Sequence, residues 1–128
     1  MTIRVLFLTL LLSMSSWAIA QTPSSLETLT QTMQSLAAKA PSIEPERRNE
    51  LDELAAWMAP RKSSDLVFIC THNSRRSHMA QVWASAGAAF HGVEGVRSWS
   101  GGTEATACNP RTVGALIRAG FFIDVQAP

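Results

Sequence analysis

The feature that most constrains this chain is a short apolar run, Leu66 to Ile69, that ends on Cys70 and gives way at once to the polar stretch Thr71-His72-Asn73-Ser74-Arg75-Arg76-Ser77. Beyond it, Met79, Val82, Trp83 and Ala86 recur at helical spacing. The predicted order is strand, tight polar loop, helix, with a thiol at the strand's carboxyl end. In parallel α/β folds, ligands settle in the crevice at the strand ends, beside the following helix N-termini. A helix start offers unpaired N–H groups and the positive end of the dipole. A loop of successive backbone N–H groups adds a concavity that holds anions. Arg76 brings a planar fork suited to bidentate contact with a phosphate-like oxyanion. The same field favours thiolate over thiol at Cys70, and a thiolate is the attacking species in covalent catalysis. One loop can thus both bind a phosphoryl group and attack it.

Arginine followed by serine or threonine falls at these offsets after roughly 1% of cysteines of ordinary composition. The strand before the pattern, the helix after it and Asn73 within it therefore carry its specificity. Taken together, Cys70, five intervening residues, Arg76 and Ser77 resemble the signature of the low-molecular-weight protein tyrosine phosphatases and the related thioredoxin-coupled arsenate reductases. The later run from Ser100 to Arg111, with Gly101-Gly102-Thr103 and Asn109-Pro110, resembles the segment that follows that family's second strand. The similarity spans about Asp65 to Asp124, roughly half the chain.

The resemblance implies roles by position. Cys70 is the expected nucleophile, Arg76 the clamp on the phosphoryl oxygens, and Ser77 a donor to the Cys70 sulfur. Thr71, His72, Asn73, Ser74 and Arg75 complete the phosphate-binding loop, with Asn73 holding its shape. Two positions depart from the family: His72 replaces a common glycine, and Arg75 replaces a second loop cysteine present in many members. If the loop requires a positive φ at the glycine position, His72 is strained there. Ser74 and Ser77 can also be read as simple helix caps, the preferred reading for Ser74. Arg75 is expected in solvent or steering anions from the rim, and His78 is expected at the surface.

The implied fold is an α/β domain with a parallel sheet and helices on both faces, of the low-molecular-weight phosphatase type, preceded by an N-terminal helical segment. The family has four strands. The chain up to Pro128 supplies two strands, two helices and the start of a third strand at Phe121 to Val125. The family's general acid, an aspartate followed by proline in a late loop, has no counterpart, because Asp124 is the only acid after Glu104 and precedes Val125. The expectation is a chain truncated at its C-terminus, with residues 63–128 forming the N-terminal half of the domain.

Residues 1–20 read as a secretory signal peptide: Arg4 supplies the positive start, Val5 to Leu12 the apolar core, and Ala18-Ile19-Ala20 a small-x-small cleavage site. An uncleaved anchor is the alternative. The expected location is outside the cytoplasm, in a bacterial periplasm, without membrane attachment after cleavage. With Arg4 removed, ten basic residues balance ten acidic ones. That balance suggests neither a nucleic acid nor an anionic lipid surface as partner.

Residues 21–62 read as two helices. Ser24 with Glu27 is a capping-box pattern, and Leu26, Leu29, Met33 and Leu36 follow on one face. After Pro41 and Pro45, a second helix is expected to turn Leu51, Leu54, Ala55 and Met58 inward. Beyond the loop, the catalytic helix is expected to run from Ser77 to about Ala86, where Gly87 weakens it. A second strand is predicted at Val96 to Ser100. The last helix is predicted to open at Asn109-Pro110, to face Val113, Leu116 and Ile117 inward, and to stop at Gly120. Cys70 and Cys108 either pair as a disulfide or leave Cys108 as a small buried residue. Histidine and cysteine spacings match no closed metal site, so neither metal nor cofactor is expected.

Three functions compete. The first is a phosphomonoester hydrolase of the protein-tyrosine-phosphatase kind, acting through phosphocysteine on a phosphorylated protein or a small phosphomonoester and releasing inorganic phosphate. The second is a module that binds phosphate or a phosphoprotein without turnover. The third is an arsenate-reductase-like enzyme, for which only Cys108 follows Cys70 as a relay thiol.

Overall fold

The computed structural model describes residues 24–104 and 106–124, and residues 1–20, read above as a signal peptide, lie outside these described residues. The chain forms helix α1 (Ser25–Ala37), a short 3-10 turn (Ala40–Ser42), helix α2 (Pro45–Met58), strand β1 (Ser64–Cys70), helix α3 (Arg76–Phe90), strand β2 (Val96–Gly102) and helix α4 (Pro110–Arg118). The fold is mixed α/β, led by helices. Among the described residues the sheet has two strands, β1 and β2, paired in parallel with Ser64 opposite Val96 and Cys70 opposite Gly102.

The sheet is packed on one face. Leu66, Phe68 and Cys70 alternate with exposed Asp65, Val67 and Ile69, as the two-residue period of a strand requires. Helix α3 packs on β1 and β2 and touches α1 and α4. Its Trp83 meets Phe121 edge-to-face at 5.1 Å between centroids. Met33 of α1 and Leu116 of α4 are the fully buried apolar side chains. Gln81 of α3 donates from its side chain to the Ser98 carbonyl, tying helix to sheet.

Local signals placed the helix ends well. Ser24 and Glu27 form a reciprocal capping box. Asn109 accepts from the Arg111 N–H ahead of Pro110. Gly120 ends α4 at φ +100. That glycine is also a contact point, since a Cβ there would stand 2.3 Å from the Leu29 backbone nitrogen of α1.

Several expectations need correction. Helix α3 continues through Gly87 to Phe90, because one glycine weakens a helix by only about 1 kcal/mol and the surrounding turns are alanine-rich. Strand β2 runs on to Gly102, two residues past Ser100. Phe121–Asp124 form no strand: Phe121 is drawn onto Trp83 of α3 rather than to the sheet edge. In α2, Leu51, Leu54 and Ala55 face solvent and only Met58 is half-buried. Those four residues share one face by their spacing, but α2 makes no extensive contact with any other helix or strand, so that face is left open. Arg48 instead anchors its first turns through the carbonyls of Ala40 and Pro41, and Arg61 stacks over Trp57 at its end. Ile117 and Leu26 are likewise exposed rather than inward.

The two glycines Gly87 and Gly120 make opposite predictions. A Cβ at Gly87 meets nothing within 4 Å, so Gly87→Ala is expected to raise stability by about 0.5–1 kcal/mol. Gly120→Ala, at positive φ and against backbone, is expected to lower it by more than about 1 kcal/mol. Urea-unfolding midpoints of the two variants check both signs.

Candidate functional site

Parallel pairing ends β1 and β2 at the same edge, so the loops that follow them meet. The first loop, residues 71–75, carries the sequence motif. The second, residues 103–109, braces it from the side. The Glu104 N–H and the Thr103 hydroxyl both donate to the Thr71 carbonyl, at 2.9 and 3.1 Å. The Thr106 hydroxyl donates to the His72 carbonyl. The Asn109 N–H donates to the Ser74 carbonyl at 2.9 Å, and the Ser74 hydroxyl returns a bond to the Ala107 carbonyl at 3.0 Å. With the outward carbonyls satisfied in this way, the loop's N–H groups are left to point inward.

That inward side converges on sulfur. Backbone N–H groups of Ser77, Ser74 and Asn73 face the Cys70 Sγ, and the Ser77 Oγ lies 3.1 Å from it. Together they bring the Cys70 thiol down from 9.0 to about 6. The Ser77 hydroxyl is the largest cause and its N–H the next, opposed by partial burial. Near neutral pH the group is therefore mostly thiolate, in the range of reactive cysteines. The Arg75 N-cap has no side-chain cap bond, so no serine or aspartate side chain occupies the start of α3.

Asn73 takes the strained position. Its φ is +43, and it is the only non-glycine with positive φ among the described residues. Asparagine tolerates this region better than most residues. The strain anticipated at His72 is thus absent, because the turn falls one residue later. Asn73 Oδ1 accepts from the Ser77 Oγ at 2.8 Å. Asn73, Ser77 and Cys70 therefore form a chain with a single hydroxyl proton between acceptors. With that proton on Asn73, the thiol donates to Ser77. With the amide turned over, Asn73 donates to Ser77 and the hydroxyl is free to donate to the thiolate. The chain accommodates either charge state of the sulfur.

A cleft of about 270 Å³ opens over this point, lined by Cys70, His72, Ser74, Arg75, Arg76, Thr106 and Asn109. The nucleophile candidate and both arginines thus share one concavity at the start of α3. Of the expected loop residues, Thr71, Asn73 and Ser77 do not line it: Thr71 serves through its carbonyl, and Asn73 and Ser77 work from behind the sulfur. Ser74 is a brace between loops rather than a helix cap. His78 is half-buried, not at the surface, and its Nδ1 lacks a partner. The bracing residues Thr103, Glu104, Thr106 and Thr112 went unassigned in the sequence. A threonine-rich run after a glycine pair was the one available signal.

Gly102 lets the loops close. A Cβ there would stand 2.6 Å from the Asn73 nitrogen and 2.9 Å from the Cys70 carbonyl oxygen. At the rim, the His72 Nε2 lies 3.1 Å from a Glu104 carboxylate oxygen. Cys70 and Cys108 are both free thiols, and burial pushes the Cys108 thiol up. Among the described residues no cluster of histidine, cysteine and carboxylate groups has the makings of a metal site, and no helix is long and apolar enough to cross a membrane. No family model, curated protein or solved structure matches the chain.

Reactivity follows from this geometry. Alkylation of Cys70 by iodoacetamide is expected to rise with pH through a midpoint of about 6, while Cys108 reacts slowly at neutral pH. Ser77→Ala removes the largest stabiliser of the thiolate, so the midpoint should move upward towards the ordinary thiol range. Rates measured by mass spectrometry from pH 5 to 9 check the direction.

Proposed function

We propose that this chain is a phosphomonoester hydrolase of the protein-tyrosine-phosphatase kind, with Cys70 as nucleophile and Arg76 as oxyanion clamp. The observation that carries the reading is the inward turn of the Ser77, Ser74 and Asn73 N–H groups around the Cys70 sulfur, beneath a cleft that Arg76 lines. Such a nest at a helix start holds an anion, and an ionised sulfur lies at its base. The strand–loop–helix unit is read as the corresponding unit of the low-molecular-weight phosphatases.

In the first step the Cys70 thiolate attacks phosphorus. The S–P bond forms, the P–O bond to the leaving group breaks, and the departing oxygen takes a proton. The three equatorial oxygens are met by backbone N–H groups and the Arg76 guanidinium, which is electrostatic stabilisation aimed at the transition state. In the second step water attacks the phosphocysteine, and inorganic phosphate and the thiolate are released. Ser77, able to donate to the sulfur, favours the leaving thiolate. Substrates of this kind are phosphorylated proteins or small phosphomonoesters, and export to the periplasm belongs to the same reading.

One observation favours a second reading, a phosphate-binding module without turnover: no carboxylate lines the cleft, and general acid catalysis is typically worth about 10²–10⁴-fold. The arsenate-reductase reading has less support, because Cys108 does not line the cleft either.

Hydrolysis of p-nitrophenyl phosphate tests the proposal. Wild type is expected to turn over and Cys70→Ser to be inactive. Arg76→Lys loses the bidentate fork and is expected to reduce kcat/KM by about 10²-fold, equivalent to removing one or two charge-assisted hydrogen bonds. Vanadate or phosphate should protect Cys70 from alkylation. Protection without turnover by wild type would favour the binding module, and thiol-dependent arsenite release the reductase.

A further inference from the structure

We infer that His72, held by Glu104, is the proton donor to the leaving group, an inference that rests on the hydrolase reading above. Two observations meet here. Cleavage of the P–O bond needs a proton for any poor leaving group, and no carboxylate lines the cleft among the described residues. Yet His72 does line it, on the same loop as Cys70 and two residues from it.

The imidazole is held there. The His72 Nε2 lies 3.1 Å from a Glu104 oxygen, and each partner is fixed by its own backbone. The His72 carbonyl accepts from the Thr106 hydroxyl, and the Glu104 N–H donates to the Thr71 carbonyl at 2.9 Å. Both side chains are more than half exposed, so as a surface ion pair this contact adds little stability. Its consequence is orientation: a carboxylate on one ring nitrogen leaves the other for chemistry. Histidine is the side chain most often used in general acid–base catalysis.

The charged groups facing this imidazole are Glu104 from the bracing loop and Cys70, Arg75 and Arg76 from the cleft, together with the phosphoryl group when bound. The proton balance closes. Imidazolium His72 passes its free ring proton to the departing oxygen as Cys70 forms the S–P bond, leaving neutral imidazole and free alcohol. Neutral His72 then takes a proton from the water that attacks the phosphocysteine, and the imidazolium is restored as thiolate leaves.

The test compares two leaving groups. Values of kcat/KM for p-nitrophenyl phosphate, whose phenolate leaves unaided, and for phenyl phosphate, whose phenolate needs a proton, are measured from pH 5 to 8. The proteins are wild type, His72→Gln, Glu104→Gln and Cys70→Ser. His72→Gln is expected to lower the phenyl phosphate rate about 10²-fold more than the p-nitrophenyl phosphate rate. Glu104→Gln is expected to show the same selectivity, smaller. Vanadate protection of Cys70 in His72→Gln reports that the loop is intact. Equal losses on both substrates would overturn the role of His72 while Cys70-dependent turnover leaves the hydrolase standing. Absence of Cys70-dependent turnover in wild type would overturn both.

Discussion

The parallel pairing of β1 and β2, with Cys70 opposite Gly102, is the constraint on which the site depends. Two strands that run side by side in one direction must release their chains at the same edge. The loop that follows Cys70 then has a second loop as its immediate neighbour. Gly102 permits the closest approach, since any side chain there would collide with the Asn73 backbone. The bracing bonds to the carbonyls of Thr71, His72 and Ser74 follow from that proximity. A peptide whose C=O is taken on the outside presents its N–H on the inside. Of the N–H groups that face the sulfur, that of Asn73 belongs to such a peptide, whose His72 carbonyl is taken by Thr106.

The same arrangement accounts for the sulfur. A cysteine at a strand end is commonly a small buried residue, and half-buried Cys108, in the second loop, has its thiol pushed up by burial. Cys70 differs in what surrounds it: a hydroxyl and three N–H groups outweigh its partial burial. The described core is thin, with Met33 and Leu116 as its fully buried apolar side chains. Ser77, the most buried side chain of all, is polar and belongs to the site. Hydrogen bonding, rather than apolar packing, holds this end of the molecule in shape.

What the sequence made legible divides along the same line. Features set by near neighbours could be read directly: the Ser24–Glu27 capping box, the Asn109 cap, the Gly120 stop, and the order of strand, loop and helix around Cys70. Features set by distant partners could not. The bonds from Thr103, Glu104 and Thr106 to the first loop span more than thirty residues and end on backbone carbonyls, which leave no mark in the residue types of that loop. Ser74 shows the difficulty well. A serine before a helix is a sound cap by local rules, yet here its hydroxyl is claimed by Ala107. The positive φ was assigned to His72 by analogy with a glycine, whereas the chain turns at Asn73. In α2 the error was of another kind, because a face of regular apolar spacing was assigned inward although no other element packs extensively on it. Phe121 was read as strand on composition, and an aromatic contact with Trp83 won.

The outer face of the sheet bears on the site through register alone. There Asp65 receives the Arg97 guanidinium by two bonds, at 2.8 and 2.7 Å, and the Trp99 indole at 3.1 Å. These partners hold the Asp65 carboxyl below the usual carboxylate range, but a contact this exposed contributes little stability. Its geometry matters more. A bidentate fork between residues opposite one another in register is satisfied at one alignment of the strands. A slip of one residue would turn every side chain of β1 to the other face, carrying Cys70 out to solvent and Ile69 under α3. The apolar inner face resists the same slip, since Leu66 and Phe68 would have to leave α3. Exposed Val67 and Ile69 provide no such discrimination on the outside. Among the outward-facing residues, the Asp65–Arg97–Trp99 cluster is what distinguishes the alignment that places Cys70 opposite Gly102 from its neighbours, with Asp65 five residues along β1 from Cys70.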